Sequence, residues 1–157
     1  MRRDMTYTGE RMPPDLRVAI VASRFNESVV DALIEGAVRT LEAHGVAARH
    51  VELVRVPGAF EIPAAARRVL AARSPDAVIA LGAVIRGETP HFDYICASCS
   101  HALARVALEA PVPVAFGVLT VDSLEQAHAR SGEDDANKGS EAAAAVMEMI
   151  SLFRLLG

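Results

Sequence analysis

The feature that most constrains this chain is a short, uninterrupted apolar run at residues 77–81, followed by a glycine and a helix start. A continuous run of this length predicts a strand buried on both faces, which is typical of a parallel sheet. Gly82 is expected to turn the chain, Thr89 to cap the next helix and Pro90 to occupy its first position. His91 then lies in the first helical turn, beside backbone amides that face the crevice beyond the strand. The sequence therefore predicts a ligand site there, where His91 can give or take a proton.

The rest of the chain repeats the alternation of strand and helix. Strands are predicted at residues 17–22, about 50–56 and 114–121, and helices at about 27–44, up to 73, 90–108, 124–130 and 138–156. Asn26 is expected to cap the first helix. Short turns between alternating elements imply right-handed crossovers and a parallel sheet with helices on both faces. We therefore predict one α/β domain over residues 17–157, preceded by an N-terminal arm over residues 1–16.

Composition limits the classes of function. The 157 residues suit one domain, and 52% apolar with only 4% aromatic residues indicates a core of aliphatic side chains. The net charge of -4, without a basic stripe, argues against a nucleic-acid partner. The sequence shows neither a signal-peptide-like stretch nor an apolar run of membrane-spanning length, so we expect a cytoplasmic protein without membrane contact.

The two cysteines, Cys96 and Cys99, form a C-x-x-C inside the third predicted helix. A zinc site needs two further ligands, and His101 alone does not supply a pair. A redox pair needs its first cysteine at a helix N-terminus, whereas Cys96 lies more than a turn into the helix. We interpret both cysteines as packing residues, with metal binding or redox chemistry as the alternative.

Aromatic and charged side chains follow the predicted strands. Because parallel strands end at one edge of a sheet, these residues are expected to form one constellation there: Phe25, Phe60, Glu61, the segment 86–91, Phe116, Arg130 and Lys138. Phe25 can stack on a flat heterocycle, Glu61 can accept hydrogen bonds from a polyol, and Arg130 can pair with a phosphate. Ordinary alternatives exist, because a loop aromatic can anchor its loop, a strand aromatic can belong to the core, and a cation or histidine can be solvated.

At these positions the chain resembles a known family. The motifs are VASRFNE, VPGAFEIP, GAVIRGETPHFDY, PVAFGVLTVDS and NKGSEAA. In this order and spacing, over roughly residues 17–155, they resemble the 6,7-dimethyl-8-ribityllumazine synthases. The resemblance implies a three-layer, flavodoxin-like fold. It also implies condensation of 5-amino-6-(D-ribitylamino)uracil with 3,4-dihydroxy-2-butanone 4-phosphate, the penultimate step of riboflavin biosynthesis, without cofactor or metal and in sites between neighbouring subunits.

The resemblance also suggests roles for individual residues. His91 matches the proton-transferring histidine. The pyrimidine and its ribityl chain are matched to Phe25, Ala59, Phe60, Glu61, Ala83, Val84 and Ile85, and to Phe116 from the adjoining subunit. The butanone phosphate is matched to Glu88, Thr89 and Arg130, with Lys138 as a second cation near the site. Because Glu88 brings a negative charge into a phosphate loop, we expect its backbone N–H to face the phosphate and its carboxylate to turn away.

Assembly and partners are expectations of the same kind. A residue placed in a neighbour's site requires a head-to-tail contact that closes at a fixed subunit number, and we predict a homopentamer. Residues 1–14 are expected to lie along the adjoining subunit's sheet edge. Three adjacent carboxylates at residues 133–135 favour a free pentamer over a pentamer-built shell. Riboflavin synthase is a further candidate partner. The alternative function is a non-catalytic homologue that binds lumazines or flavins, which the combination of His91 and Arg130 disfavours.

Overall fold

A computed structural model describes residues 5–9 and 15–157 of the chain, and within them four strands form one sheet. The strands are β1 (Val18–Ser23), β2 (Val51–Val56), β3 (Ala77–Ile85) and β4 (Val114–Val121). All neighbouring strands run parallel, in the order β2-β1-β3-β4. The central strand β1 is buried along its whole length, and β3 is buried over its first seven residues. The predicted four-stranded parallel sheet is confirmed.

In the described part of the chain, two short 3-10 turns and five α-helices flank the sheet; the α-helices are α1 (Glu27–Ala43), α2 (Ile62–Arg73), α3 (His91–Glu109), α4 (Leu124–Ala129) and α5 (Lys138–Leu156). Helices α1 and α5 cover one face of the sheet, and α2 and α3 cover the other. The resulting three layers form a flavodoxin-like α/β fold, as predicted. None of the described helices combines the length and hydropathy that crossing a membrane requires.

Within the N-terminal arm the structure describes residues 5–9, which have no regular secondary structure, and residues 15 and 16, of which Leu16 is buried in the core. Gly9 lies against the backbone of Glu148 in α5 of the same chain. The expectation that residues 1–14 follow the edge of a neighbouring sheet falls mainly outside the described residues. It therefore stays a prediction, as does the domain boundary at residue 17.

The turn predicted at Gly82 is wrong. Strand β3 continues through Gly82, and its pairing with β4 extends to Ile85, opposite Val121. A Cβ atom at position 82 would lie 2.9 Å from Ser23 Oγ and 3.1 Å from the Ile62 side chain. The glycine therefore permits close packing of β1 and α2 against the strand, which is a second common reason for glycine inside a strand. As a result, β3 projects further into the crevice than the sequence predicted.

The two predicted helix caps beside the crevice are each only partly right: Asn26 stands at the predicted N-cap but its side chain does not bond to the helix, and the N-cap of α3 is Pro90 rather than Thr89. Asn26 occupies the N-cap position of α1 in the left-handed conformation (φ 61°, ψ 48°), which asparagine tolerates well. Its side chain does not cap the helix; Nδ2 donates to the carbonyl of Ala83 at 2.9 Å. Helix α3 begins at His91, with Pro90 before it, and Thr89 Oγ1 accepts a long hydrogen bond of 3.4 Å from the His91 N–H. At Asn26 a tertiary contact replaces the local cap, whereas Thr89 keeps a long local bond one residue before the helix begins.

Helix α5 begins with a buried polar cap. Asn137 is 0% exposed, and its Oδ1 accepts the Ser140 N–H at 3.0 Å. Its Nδ2 donates to the carbonyls of Gly132 (2.8 Å) and Ala32 (3.2 Å), so the cap joins α5 to α1. A Cβ atom at Gly139 would overlap the carbonyl of Leu33 in α1. This close contact fixes the first turn of α5, from which Lys138 projects.

Candidate active site

A cleft of about 590 Å³ opens beyond the carboxyl ends of the strands. Its lining comes from the loops after β1 and β2, the end of β3 and the start of α3: Phe25, Pro57, Gly58, Ala59, Phe60, Glu61, Ala83, Val84, Ile85, Gly87, Thr89, His91, Phe92 and Ile95. Nine of the residues matched to the family's site are in this set. The position agrees with the general rule for open parallel sheets, and the volume suits a small heterocycle with a side chain.

Two phenylalanine rings in the cleft are mostly exposed to water. Phe25 is 71% exposed and Phe60 is 60% exposed. The loop that carries Phe25 is nevertheless held firmly, because the N–H groups of Arg24 and Phe25 donate to the carbonyls of Val56 and Pro57. These bonds extend the pairing of β1 with β2 beyond both strands. Large apolar rings on ordered backbone, without covering side chains, indicate a surface that binds something flat.

Glu61 lies at the end of a 3-10 turn, Ala59–Glu61, that leads into α2. One carboxylate oxygen, Oε2, accepts the N–H of Gly58 at 3.1 Å, and this bond orients the side chain. The group remains exposed at the cleft, so the carboxylate can still accept hydrogen bonds from hydroxyl groups. This geometry is compatible with the predicted contact to a polyol.

His91 is the first residue of α3 and is exposed in the cleft. Its ring makes no hydrogen bond to any residue that the structure describes. Gly87 and Thr89 line the cleft on the same side, whereas the exposed Glu88 between them does not. The imidazole is therefore accessible to a bound ligand, and the direction expected for the Glu88 carboxylate stays a prediction.

The remaining candidate residues line a second cavity, of about 480 Å³, between β4 and α5. Its lining includes residues 115–121, Arg130, Lys138, Glu141, Ala142 and Ala145. Arg130 follows α4 and donates from NH1 to the carbonyl of Gln126 at 3.0 Å. Lys138 Nζ lies 2.8 Å from Glu141 Oε2, in an exposed ion pair. The two cations thus share one cavity with Phe116.

A single chain does not bring all the candidate residues together. No residue lines both cavities. The expected place of Phe116 at the carboxyl edge is wrong, because Phe116 is paired with Ala80 in the middle of β3. It stands five positions before Val121, or roughly 17 Å along the strand. It lies on the edge strand and is 50% exposed, so its ring faces outward rather than into the core.

The structure also shows neighbours that the sequence reasoning missed. The cleft is also lined by Phe92, the residue after His91, and by Ile95, one helical turn further along α3. Helical periodicity counted from His91 would have predicted Ile95. Asn26 secures the loop of Phe25 to β3 through Ala83, for which no local signal exists. Arg86, directly after the cleft residue Ile85, forms ion pairs with Asp93 and Asp122.

The cysteine pair lies apart from the cleft. Cys99 belongs to the core between α3 and the sheet, and burial raises its pKa to about 11. Burial also raises the pKa of the Cys96 thiol, and the negative charge of Asp93 raises it further. Within the described residues no three His, Cys, Asp or Glu side chains are arranged to hold a metal ion. The packing interpretation of Cys99 agrees with its burial.

The fold and the cleft define the class of protein first: a flavodoxin-like α/β protein with a small-molecule site beyond its parallel strands. The family model described as 6,7-dimethyl-8-ribityllumazine synthase matches residues 15–154. A protein of that name from Halorhodospira halophila (strain DSM 244 / SL1) is 53% identical over 142 residues, covering 90% of this chain and 91% of the relative. The chain therefore belongs to the 6,7-dimethyl-8-ribityllumazine synthase family. It is a transferase of riboflavin biosynthesis, which confirms the predicted family, function and enzyme class.

Proposed function

We propose that this chain condenses 5-amino-6-(D-ribitylamino)uracil with 3,4-dihydroxy-2-butanone 4-phosphate in a composite site between two copies of the chain. One observation carries the proposal: the groups matched to one family site are divided between two separate cavities of the same chain. The cleft holds the aromatic rings and His91, and the second cavity holds Phe116 and two cations. A head-to-tail contact would join the cleft of one copy to the cation cavity of the next.

The pyrimidine substrate fits the cleft. The exposed ring of Phe25 offers a stacking surface, and the backbone of residues 83–85 offers hydrogen-bond donors and acceptors to the ring edge. Ala59, Phe60 and Glu61 lie beside the expected path of the ribityl chain, where the carboxylate accepts from its hydroxyl groups. Phe116 of the adjoining copy closes the cleft from the other side. Closure removes water and completes the contact area around the heterocycle.

The phosphorylated substrate fits the junction of the two cavities. Backbone N–H groups of Gly87, Glu88 and Thr89 precede the N-terminus of α3, which is a favourable place for an anion. Arg130 and Lys138 of the adjoining copy supply positive charge, and the planar guanidinium suits two phosphate oxygens. The phosphate is thereby fixed near His91.

The reaction needs proton transfers at several steps. The 5-amino group attacks the ketone carbon, and loss of water gives an imine. A proton then leaves the neighbouring carbon as the C–O bond to phosphate breaks, and the resulting enol becomes a ketone. The ribitylamino nitrogen attacks this carbonyl and a second water leaves, which closes the ring. His91 accepts and returns these protons, a role typically worth about 10²- to 10⁴-fold in rate, and the bound geometry supplies orientation.

The assembly proposed with this site is a homopentamer, and a pentamer-built shell is the alternative. The composite site requires every copy to donate to a neighbour, so a ring satisfies all sites. The exposed carboxylates of residues 133–135 favour the free ring, because a shell would repeat them at close quarters. The compartment proposed is the cytoplasm, and riboflavin synthase is a candidate consumer of the product.

A product assay tests the proposal. Purified protein is mixed with both substrates, and formation of lumazine is followed by absorbance and fluorescence, with substrates alone as the control for the spontaneous reaction. We expect product to form faster than in the control and to saturate with both substrates. Folded protein that binds the pyrimidine without accelerating product formation would instead indicate the non-catalytic binding homologue.

A further inference from the structure

Arg86 lines neither cavity, but it contacts segments that lead to both half-sites of one chain. It follows β3 directly, and its N–H donates to the carbonyl of Val121 at 2.9 Å, so the pairing of β3 with β4 continues to this residue. Its guanidinium then contacts two different segments. Nε lies 2.9 Å from Asp122 Oδ1, the first residue after β4, and NH1 lies 3.5 Å from Asp93 Oδ1 in the first turn of α3.

The contact with Asp93 belongs to a set of contacts with the residues beside His91. The Arg86 guanidinium carbon lies 4.3 Å from the centre of the Phe92 ring, within the range of a cation–π contact. Phe92 is buried and lines the cleft immediately after His91. Arg86 therefore contacts both residues that follow the histidine, Phe92 through its ring and Asp93 through its carboxylate. These contacts fix the rotation of the helix turn that presents the imidazole.

The contact with Asp122 leads to Arg130 through a series of hydrogen bonds linked by the Asp122 and Gln126 residues themselves. The Asp122 N–H donates to Gln126 Oε1 at 2.7 Å, and the Gln126 N–H donates to Ser123 Oγ at 3.2 Å. The carbonyl of Gln126 accepts from Arg130 NH1 at 3.0 Å. The guanidinium of Arg86 is thus connected to that of Arg130 through Asp122 and Gln126. These bonds span α4 from the residues before it to the residue after it, with Gln126 as the link inside the helix.

We propose that Arg86 is a positioning residue that orients both half-sites of a chain at once: His91 in its own cleft, and Arg130 in the cavity presented to the adjoining copy. The inference rests on the proposed composite site. A single exposed ion pair contributes little, but here one guanidinium joins two carboxylates and a ring and so constrains two segments together. Loss of Arg86 disturbs two neighbouring sites, whereas loss of His91 or Arg130 disturbs one.

The kinetic test uses Arg86→Ala, Arg86→Lys and Asp122→Asn in the full chain. For Arg86→Ala we expect kcat to fall and the KM for the butanone phosphate to rise, each by about three- to tenfold, with the KM for the pyrimidine unchanged. Arg86→Lys should recover part of both losses, because it keeps the charge but not the planar fork. Asp122→Asn should raise mainly the KM for the butanone phosphate. If Arg86→Ala does not fold, the other two variants decide.

The control is Arg67→Ala, which removes an exposed ion pair of similar length (2.7 Å to Glu109) far from the cleft. We expect wild-type kinetics for this variant. The inference is wrong if Arg86→Ala and Asp122→Asn keep both kcat and KM within twofold of wild type. The proposed function fails separately if the wild-type protein makes no product.

Mixed assemblies test the coupling of two sites. Differently tagged wild-type and variant chains are co-expressed, and assemblies of known composition are assayed. At equal mixing, His91→Asn should leave about half of the activity, because each chain supplies one imidazole. For Arg86→Ala, we expect the activity of the mixed assembly to fall below the mean of the wild-type and all-variant activities. If the all-variant assembly were inactive, about one quarter of the wild-type activity would remain, because a site then needs two wild-type chains. Activity that follows the weighted average would show that Arg86 acts on one site only.

Discussion

At the scale of single residues, the candidate site depends on side chains that one chain leaves uncovered. Phe25 and Phe116 are both large and apolar, yet each is at least half exposed. The backbone at Phe25 is held by hydrogen bonds to the β2 loop, and Phe116 lies within a paired strand. Their exposure is therefore a property of an ordered surface. His91 is also exposed. In the proposed composite site it lies between Phe25 of its own chain and Phe116 of the adjoining copy.

The role of His91 is tested by His91→Asn. Asparagine keeps hydrogen-bonding capacity but cannot relay a proton, so we expect kcat to fall by at least about tenfold while affinity for the pyrimidine is retained. The measurement is steady-state formation of lumazine, corrected for the spontaneous reaction. A kcat equal to that of wild type would remove His91 from the proton transfers.

The cation cavity is tested by Arg130→Ala. Loss of a charge-assisted bond should weaken binding of inorganic phosphate by about 1.5 to 3 kcal/mol, while a ribityl-pyrimidine analogue binds as before. Titration calorimetry with each ligand separates the two effects. An equal loss for both ligands would place Arg130 at the pyrimidine instead.

The buried thiol gives a pH-dependent prediction. Burial raises the pKa of Cys99 to about 11, so the protonated thiol is the form that folding favours. The associated stability is complete below the usual thiol pKa of about 8.5 and is lost as the pH rises towards 11. At pH 8 we expect iodoacetamide to modify Cys99 at least about tenfold more slowly than Cys96. Unfolded protein should show equal rates, and fast modification of native Cys99 would contradict its burial.

At the scale of secondary structure elements, β3 and the α1–α5 pair decide where the site groups stand. The extension of β3 to Ile85 brings residues 83–85 into the cleft. On the opposite face, the buried cap Asn137 and the contact of Gly139 with α1 set the direction from which Lys138 leaves α5. The two half-sites are thus positioned by different layers of the fold.

The α1–α5 contact is tested by Gly139→Ala. The added methyl group would overlap the carbonyl of Leu33, a backbone atom that cannot rotate away. We expect the free energy of unfolding, measured by denaturant titration, to fall by about 1 to 3 kcal/mol, the usual range for overpacking. Gly132→Ala is the matched control, since its nearest neighbour would be 3.6 Å away. Equal stability of the two variants would mean that α5 shifts without cost.

At the scale of the whole molecule, both edges of the sheet are open within the described residues, because β2 and β4 each pair with one strand only. The edge at β4 carries Phe116 between two cavities, one facing α5 and one facing α3. Leu108, at the end of α3, is also strongly exposed. Open strand edges and exposed apolar side chains favour association with further copies.

The size of the assembly is a direct prediction. We expect native mass spectrometry to show five subunits, because a heterologous contact must close into a ring to complete every site. Sixty subunits would mean that the carboxylates of residues 133–135 do not oppose a shell. Dilution to monomers should abolish activity, and an active monomer would rule out the composite site.

The sequence by itself determined the order of the elements, the parallel sheet and the family. These follow from local patterns: the buried run at residues 77–81, the alternation of strands and helices, and motifs that can be recognised in the sequence alone. The tertiary structure alone decided which side chain contacts which. Gly82 looked like a turn because the packing of Ser23 and Ile62 against it is non-local, and Asn26 looked like a cap because its partner, Ala83, is 57 residues away. The predicted strand at residues 114–121 already put Phe116 near its amino end, but only the tertiary structure decided that β4 is an edge strand, which leaves the ring half exposed. Strand order depends on pairing between segments far apart in the chain, which no local pattern records.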